Sequence, residues 1–338
     1  MLVQRLVCGW AGFERLIRRL MVLISSRRLF SNWLLAGVKY YLTRHGVFKG
    51  GIMVKCGGKK YVLSPWVYSS IVSAYYDGLL RDVSCSDNGF IGKLGGVIDL
   101  IIRDSNGLLR MPDGILLTLE SFDSIVLYET WLYDIHFLGF DLDNWFVLDI
   151  GAYIGDTALY YARRGAFVVA VEPLSNNYDV MLRNIELNPD LKPRIVPMNI
   201  AVSGEDGFLD LSYNELVDGG ATIYDVGRFK SKVKSMKLST LVKEITGMGI
   251  DLSRFNVRVL KMDCKGCEYD VIKEVDVLRL FDIIKIEYSG YLRNKTFHEL
   301  KEVIEALGFK CRVWAHNRFA IRAGLDRHGT ITCARQGR

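Results

Sequence analysis

The sequence predicts an α/β fold built on a mostly parallel sheet whose last strand runs antiparallel, preceded by a helical arm and a small β-rich extension. Three observations carry this. The apolar run Phe146, Val147, Leu148 ends in Asp149 and breaks into a glycine turn from Gly151 to Gly155, after which Asp156 and Thr157 open an amphipathic segment. A buried parallel strand feeds a helix in this way. A second apolar run, Phe167 to Val171, closes on Glu172 and Pro173, 23 residues after Asp149, the interval of one strand, one helix and the next strand. Strand and helix signals then keep alternating and finish in a hairpin, the pattern of a parallel sheet with an antiparallel end.

Taken in order, residues 1–24 place Leu2, Leu6, Trp10, Phe13, Ile17, Leu20 and Ile24 on one helical stripe, with Arg15, Arg18 and Arg19 opposite. No apolar run approaches the ~18 residues that span a bilayer, and Glu14 with no small-residue cleavage site argues against a secretory signal. A basic amphipathic helix of this kind either lies on an anionic membrane surface or docks on the protein body. Phe30 to Tyr41 repeats the helical spacing, and His45 and Gly46 end an arm over residues 1–45. Residues 46–122 form a β-rich extension: a hairpin about Gly57 and Gly58, a helix from Trp66 to Leu80, then strands from Val97 to Arg103 and Gly107 to Leu119. Ser124 to Leu138 reads as a helix with a serine cap, leading into the glycine turn.

The main domain is expected over residues 123–322. After Glu172 come a helix from Leu174 to Asn188, a third strand from Arg194 to Val202, and a turn and hairpin from Gly204 to Leu211. Asp218 to Thr222 is either a lid or a surface turn. Lys230 to Lys237 holds four lysines, and Leu238 to Ile245 is helical. Val257 to Met262 ends at Asp263, Phe281 to Ile286 ends at Glu287, Thr296 to Leu307 is a helix, and Phe309 to Trp314 pairs with Arg318 to Arg322 around His316. Residues 323–338 read as a basic, disordered tail.

With 338 residues, half of them hydrophobic, the chain can bury a sizeable core. Its net charge of +6 is local: residues 1–60 hold twelve basic residues and one acidic residue, which leaves the remainder, with 32 basic and 37 acidic residues, at −5. Seven cysteines scattered from Cys8 to Cys333 do not read as a disulfide framework, so a reducing, cytoplasmic setting with peripheral membrane contact is expected. Cys264 and Cys267 form one C-x-x-C with no second ligand pair at zinc spacing, and read as small residues packed at a turn. No metal is expected.

Two ligands suit the glycine turn, a dinucleotide and S-adenosylmethionine (SAM). Tyr153 stands where the dinucleotide fingerprint needs its second glycine, which disfavours NAD. Asp149 would repel phosphates and attract an ammonium group, which SAM carries. Glu172 is placed to accept hydrogen bonds from a ribose diol.

The residues Asp149, Ile150, Gly151, Ala152, Tyr153, Ile154, Gly155, Asp156 and Thr157, with Val171, Glu172 and Pro173, Asn184 to Asn188, Ala201 to Ser203, and Asp263, Gly266 and Glu268 resemble the FkbM family of SAM-dependent methyltransferases over roughly residues 120 to 312. The family's last motif usually reads D-x-E-G-x-E, and this chain has Lys265 at the middle acidic position. The resemblance implies a Rossmann-like class I methyltransferase sheet, SAM as cofactor, and a hydroxyl acceptor on a carbohydrate, glycan lipid or other small molecule. Asp149, Gly151, Ala152, Tyr153, Gly155, Asp156, Thr157, Glu172, Pro173, Asn199 and Ala201 are then the cofactor candidates. Asp263 is expected to face the acceptor with Glu287 and His316 behind it, since ligands of such sheets sit at the carboxyl ends of the strands. Glu129, Trp131, Lys265 and Glu268 are the substrate candidates, and Lys265 either acts on an acidic partner, binds an anionic substrate or points outward. Two rival readings stay open: an RNA methyltransferase or RNA-binding protein, disfavoured by the acidic core, and a non-catalytic relative.

Overall fold

A computed structural model describes residues 14, 16–86, 89–103, 106–131, 135–136, 141–214, 217–315, 322–323 and 326–335. The chain divides into two compact units, Met1–Leu138 and Gly139–Arg338.

Among its described residues the first unit holds helix α1 (residues 16–25) and α2 (Trp33–Arg44). The hairpin β1 (Ile52–Cys56) and β2 (Lys59–Leu63) turns at Gly57 and Gly58, both at positive φ, as the glycine pair predicts. Helix α3 (Pro65–Tyr76) starts where Ser64 accepts a hydrogen bond from the Val67 N–H and Pro65 takes the first helical position. A five-stranded antiparallel meander follows: β3 (Leu80–Ser86), β4 (Gly89–Leu94), β5 (Ile98–Arg103), β6 (Asn106–Arg110) and β7 (Leu116–Thr118). Helix α4 (Ser124–Trp131) falls in this unit rather than in the domain expected from residue 123.

The second unit is the parallel α/β body. In order it holds β8 (Trp145–Ile150), α5 (Asp156–Arg163), β9 (Phe167–Val171), α6 (Ser175–Glu186), β10 (Ile195–Met198), β11 (Ala201–Val202), β12 (Gly207–Tyr213), β13 (Phe229–Met236), α7 (Leu238–Gly247), β14 (Val257–Met262), α8 (Glu268–Val271), α9 (Val275–Leu278), β15 (Ile283–Ser289), α10 (Phe297–Ala306), β16 (Phe309–Ala315) and β17 (His328–Arg335). The sheet order is β10-β9-β8-β14-β15-β17-β16. The first five strands pair in parallel, and β17 pairs antiparallel with both β15 and β16. The strand order reverses beside β8, the place where open α/β sheets bind ligands.

One face of this sheet is apolar throughout. Leu148, Ile150, Leu260, Met262, Ile284, Ile286 and Ile331 join residues of α7, α8 and α10 in one buried cluster. Period two then puts a different set on the other face: Asp149, Lys261, Lys285 and Thr332 stand side by side in register. These polar partners in mid-sheet set this face apart from the apolar one.

Three expectations are corrected and a fourth falls largely outside the described residues. The tail is not disordered over residues 328–335: Thr330 and Thr332 alternate with Ile331 and Cys333, and β17 lies between β15 and β16. The expected strand Arg318 to Arg322 lies outside the described residues apart from Arg322. The single strand expected from Arg194 to Val202 is two, because β10 stops at Met198 on the sheet edge, where Pro197 is tolerated, and β11 joins a separate sheet of order β11-β13-β12. Finally, disulfides join Cys56 to Cys85, Cys264 to Cys267 and Cys311 to Cys333, contrary to the expectation of unpaired thiols. Cys311 and Cys333 are cross-strand partners, a proximity that spacing along the chain cannot reveal.

Candidate functional site

The glycine turn is built by close packing of backbone. Gly151 has φ +78°, and a Cβ there would lie 2.0 Å from the Asp263 carbonyl oxygen. Gly155 has φ +79°, and its Cβ would lie 2.7 Å from Met181 Cγ. The N–H groups of Gly151 and Ala152 both donate to the Val171 carbonyl, at 2.9 and 3.0 Å. Tyr153, at φ +50°, donates its N–H to Glu172 Oε2 at 3.0 Å. The turn is thus tied to the end of the neighbouring strand by the two motifs that sequence reasoning paired, and α5 starts directly after it with Asp156 and Thr157 buried.

Glu172 is buried and also accepts from the Leu174 N–H and Asn177 Nδ2, each at 3.0 Å on Oε1. Burial raises its carboxyl to about 7, against the pull of these three donors and of Lys261. A carboxylate offers about four acceptor positions, so one remains for a ligand hydroxyl. Asn177 reaches further: its Nδ2 donates to the Asp218 carbonyl at 2.9 Å, and its Oδ1 accepts the Asp218 N–H at 3.0 Å. This pins the Asp218–Thr222 loop to Glu172, with Gly219 packed on the Tyr153 ring and Thr222 Oγ1 bonded to the Lys265 carbonyl at 2.8 Å. The loop lies over the turn, as a lid would.

Asp149 is spent differently from the expectation that it would meet an ammonium group. It is fully buried, its Oδ1 lies 2.7 Å from Lys261 Nζ, and its Oδ2 accepts from Thr157 Oγ1 at 2.5 Å. Lys261 also donates to the Gly151 carbonyl at 2.9 Å. Burial opposes charge on Lys261, but Asp149 and Asp263 outweigh it and keep the ammonium protonated. Asp149 and Lys261 together therefore brace the turn from beneath. Lys261 was missed because one lysine in an apolar strand carries no motif.

One row nearer the strand ends, the same face brings together Asp263, Lys265, Glu287 and His328. Lys265 Nζ donates to Asp263 Oδ1 at 2.6 Å and to Glu287 Oε1 at 3.0 Å. It points inward, so the outward alternative is removed. Burial pushes the Asp263 carboxyl up, but Lys265 and Lys261 hold it below the usual carboxylate range, while the two carboxylates keep Lys265 charged despite its own burial. His328 Nε2 lies 3.9 Å from Glu287 Oε1, and its Nδ1 lies 3.2 Å from the Tyr288 carbonyl. His316, the histidine expected here, lies outside the described residues. His328 takes that place beside Glu287 because β17 runs antiparallel and its first residue reaches the carboxyl ends of its neighbours.

The remaining candidates have other duties. Glu268 is fully buried and accepts from the Gly266 N–H at 2.8 Å and the Ser289 N–H at 2.6 Å, so it braces the turn instead of meeting substrate. Asn199 Nδ2 donates to the carbonyls of Glu172 and Pro173 at 2.8 and 3.1 Å and orients the strand end. Ala201 packs with Leu174, Leu211 and Val233 in a small cluster of its own. Trp131, in the first unit, donates to Asp113 Oδ2 at 2.8 Å, and Glu129 lies on the same helix α4.

Residues 149–311 match the methyltransferase FkbM domain. The chain is 25% identical over 189 residues to methyltransferase 1 of Beauveria bassiana (strain ARSEF 2860), covering 51% of this chain and 74% of that protein. It is 30% identical over 159 residues to methyltransferase sdnD of Sordaria araneosa, covering 39% of this chain and 61% of that protein. Among solved structures, an O-methyltransferase from Bacillus cereus in complex with SAH is similar at 14% identity and a TM-score of 0.35, covering 56% of this chain and 74% of that one.

Proposed function

We propose, from the match of residues 149–311 to the methyltransferase FkbM domain, that the protein moves a methyl group from SAM to an oxygen of a carbohydrate, a glycan lipid or another small hydroxylated molecule. The observation that carries the cofactor reading is Glu172: a buried carboxylate at the end of the strand beside the glycine turn, bonded to the turn's own N–H, with an acceptor position left over. A ribose hydroxyl suits that position, and a pyrophosphate does not. When bound, SAM supplies a methyl group on a sulfonium, which an oxygen nucleophile takes by in-line displacement. Glu172 and the turn at Gly151–Tyr153 would hold the nucleoside. The loop at Asp218–Thr222 excludes water, and Asp263, Glu287 and His328 at the strand ends hold the acceptor hydroxyl and receive its proton.

Calorimetric titration with SAM tests the cofactor reading. We expect saturable heat with wild type, and its loss in Glu172→Ala; heat from NADH in place of SAM would defeat the reading. Lys265 favours a second reading, a fold that binds SAM without transferring from it, since a lysine clamped between two carboxylates weakens both as bases. Radiolabelled SAM incubated with a panel of sugars and glycolipids separates the two: label in any acceptor supports transfer.

A further inference from the structure

Helices α1 and α2 carry their apolar side chains outward. On α1, Leu16, Ile17, Leu20 and Met21 are exposed, Leu16 at 63%. On α2, Leu34, Leu35, Val38, Tyr41 and Leu42 are exposed, Leu35 at 63% and Tyr41 at 60%. Their spacing of i, i+1, i+4, i+7 and i+8 is one helical stripe, and the buried residues of α2 are the small ones, Ala36 and Gly37. The two helices touch: a Cβ on Gly37 would fall 2.1 Å from Leu23 Cδ1. The opposite sides are anchored within the unit. Arg18 forms a two-point ion pair with Asp77 at 2.8 Å on each arm, and Tyr40 donates to Ser69 Oγ at 3.0 Å. The arm is therefore docked on its own unit through these polar contacts and the buried Phe30 and half-buried Tyr40 rings, and presents a greasy stripe away from it. Exposed apolar area of this extent on a folded domain marks a contact surface.

Charge identifies the occupant. Arg27, Arg28, Arg44 and Lys49 are exposed in the same arm, and Glu14 is the one acidic residue in positions 1–60. A second copy of the chain would bring these cations against their own kind, and nucleic acid offers aliphatic stripes nothing to bury in. A bilayer surface with acidic headgroups satisfies both features at once. Among the described residues no helix is long and apolar enough to cross a membrane, so the contact is interfacial. We infer that α1 and α2 form an interfacial binding surface for anionic lipid, seating leucines in the headgroup boundary with the arginines on the phosphates. This inference stands apart from the methyl-transfer reading.

The test sediments the full chain at physiological salt with vesicles of phosphatidylcholine alone or with about one-third phosphatidylserine. Pelleting with the acidic vesicles and not with phosphatidylcholine is expected. A Leu20→Glu, Leu35→Glu, Tyr41→Glu variant should lose at least tenfold in partitioning, and an Arg27→Gln, Arg28→Gln, Arg44→Gln variant should weaken by about fivefold per arginine removed. Because all six positions are exposed, circular dichroism and the thermal midpoint should stay at wild-type values in both variants. Wild type left in the supernatant with both vesicles overturns the inference. So does equal pelleting with phosphatidylcholine, a dimer in ultracentrifugation that the glutamates dissociate while vesicles are ignored, or RNA retention without lipid binding.

Discussion

At the scale of single residues, Glu172 and Lys265 make opposite uses of burial. Glu172 is raised to about 7, so the folded chain still holds a proton that an unfolded carboxyl, at 4.5, has released. Its contribution to stability is complete below about 4.5 and is lost as pH rises through about 7, by proton linkage. Ligand binding runs the other way, since a ribose hydroxyl donates best to the ionised form. SAM affinity of wild type should therefore rise between about pH 6 and 8, while Glu172→Gln should give a flat calorimetric profile and gain stability relative to wild type as pH rises. Lys265 is 17% exposed and its two carboxylates 27%. Removing it as Lys265→Met leaves Asp263 and Glu287 without the cation that bridges them, at a cost of about 1–3 kcal/mol, discounted from a fully buried pair for solvent screening. Asp263 is depressed by this lysine, so the stability it lends is present above its unfolded value and is lost as pH falls. Urea denaturation should accordingly show the deficit of Lys265→Met largest near neutrality and smaller in acid.

At the scale of elements, β17 governs the second unit. It hydrogen-bonds on both sides, to β15 and to β16, buries Ile331 and Cys333, and presents His328 beside Glu287. Deleting residues 327–338 would expose two rows of backbone donors and acceptors and part of the apolar cluster, each costly without partners. Circular dichroism of that truncation should show no cooperative unfolding, whereas loss of a mere tail would leave the transition unchanged. The sheet of β11, β13 and β12 has a smaller task. Its lysines alternate along β13, so Lys230, Lys232 and Lys234 share the exposed face while Val233 packs inward with Leu211. The basic run is the solvent side of a strand, and that periodicity of two was present in the sequence.

At the scale of the whole molecule, the two compact units divide the work, with the candidate SAM site in Gly139–Arg338 and the outward apolar helices in Met1–Leu138. SAM at a hundredfold excess over its Kd should stabilise the unit that binds it by about 2.7 kcal/mol, so differential scanning fluorimetry is expected to show SAM raising the unfolding of the second unit alone. Much of that unit was legible from residue order. Phe146 to Asp149, the glycine turn and Glu172 are local signals, because strand burial, a tight turn and a helix start each depend on neighbours in the chain. The strands ending at Asp263 and Glu287 were readable for the same reason. Pairings across long separations were not: that Lys261 rather than a ligand meets Asp149, that Lys265 bridges Asp263 to Glu287, and that Cys311 lies against Cys333 follow from sheet register. The sequence by itself determined most of the elements, the glycine turn proposed to hold the nucleoside and the acidic strand ends. Tertiary structure decided which of those acids are already neutralised by a buried lysine and that the final strand brings His328 among them, because charge pairing in a sheet is set by which strands lie side by side, and strand order is a property of the folded chain.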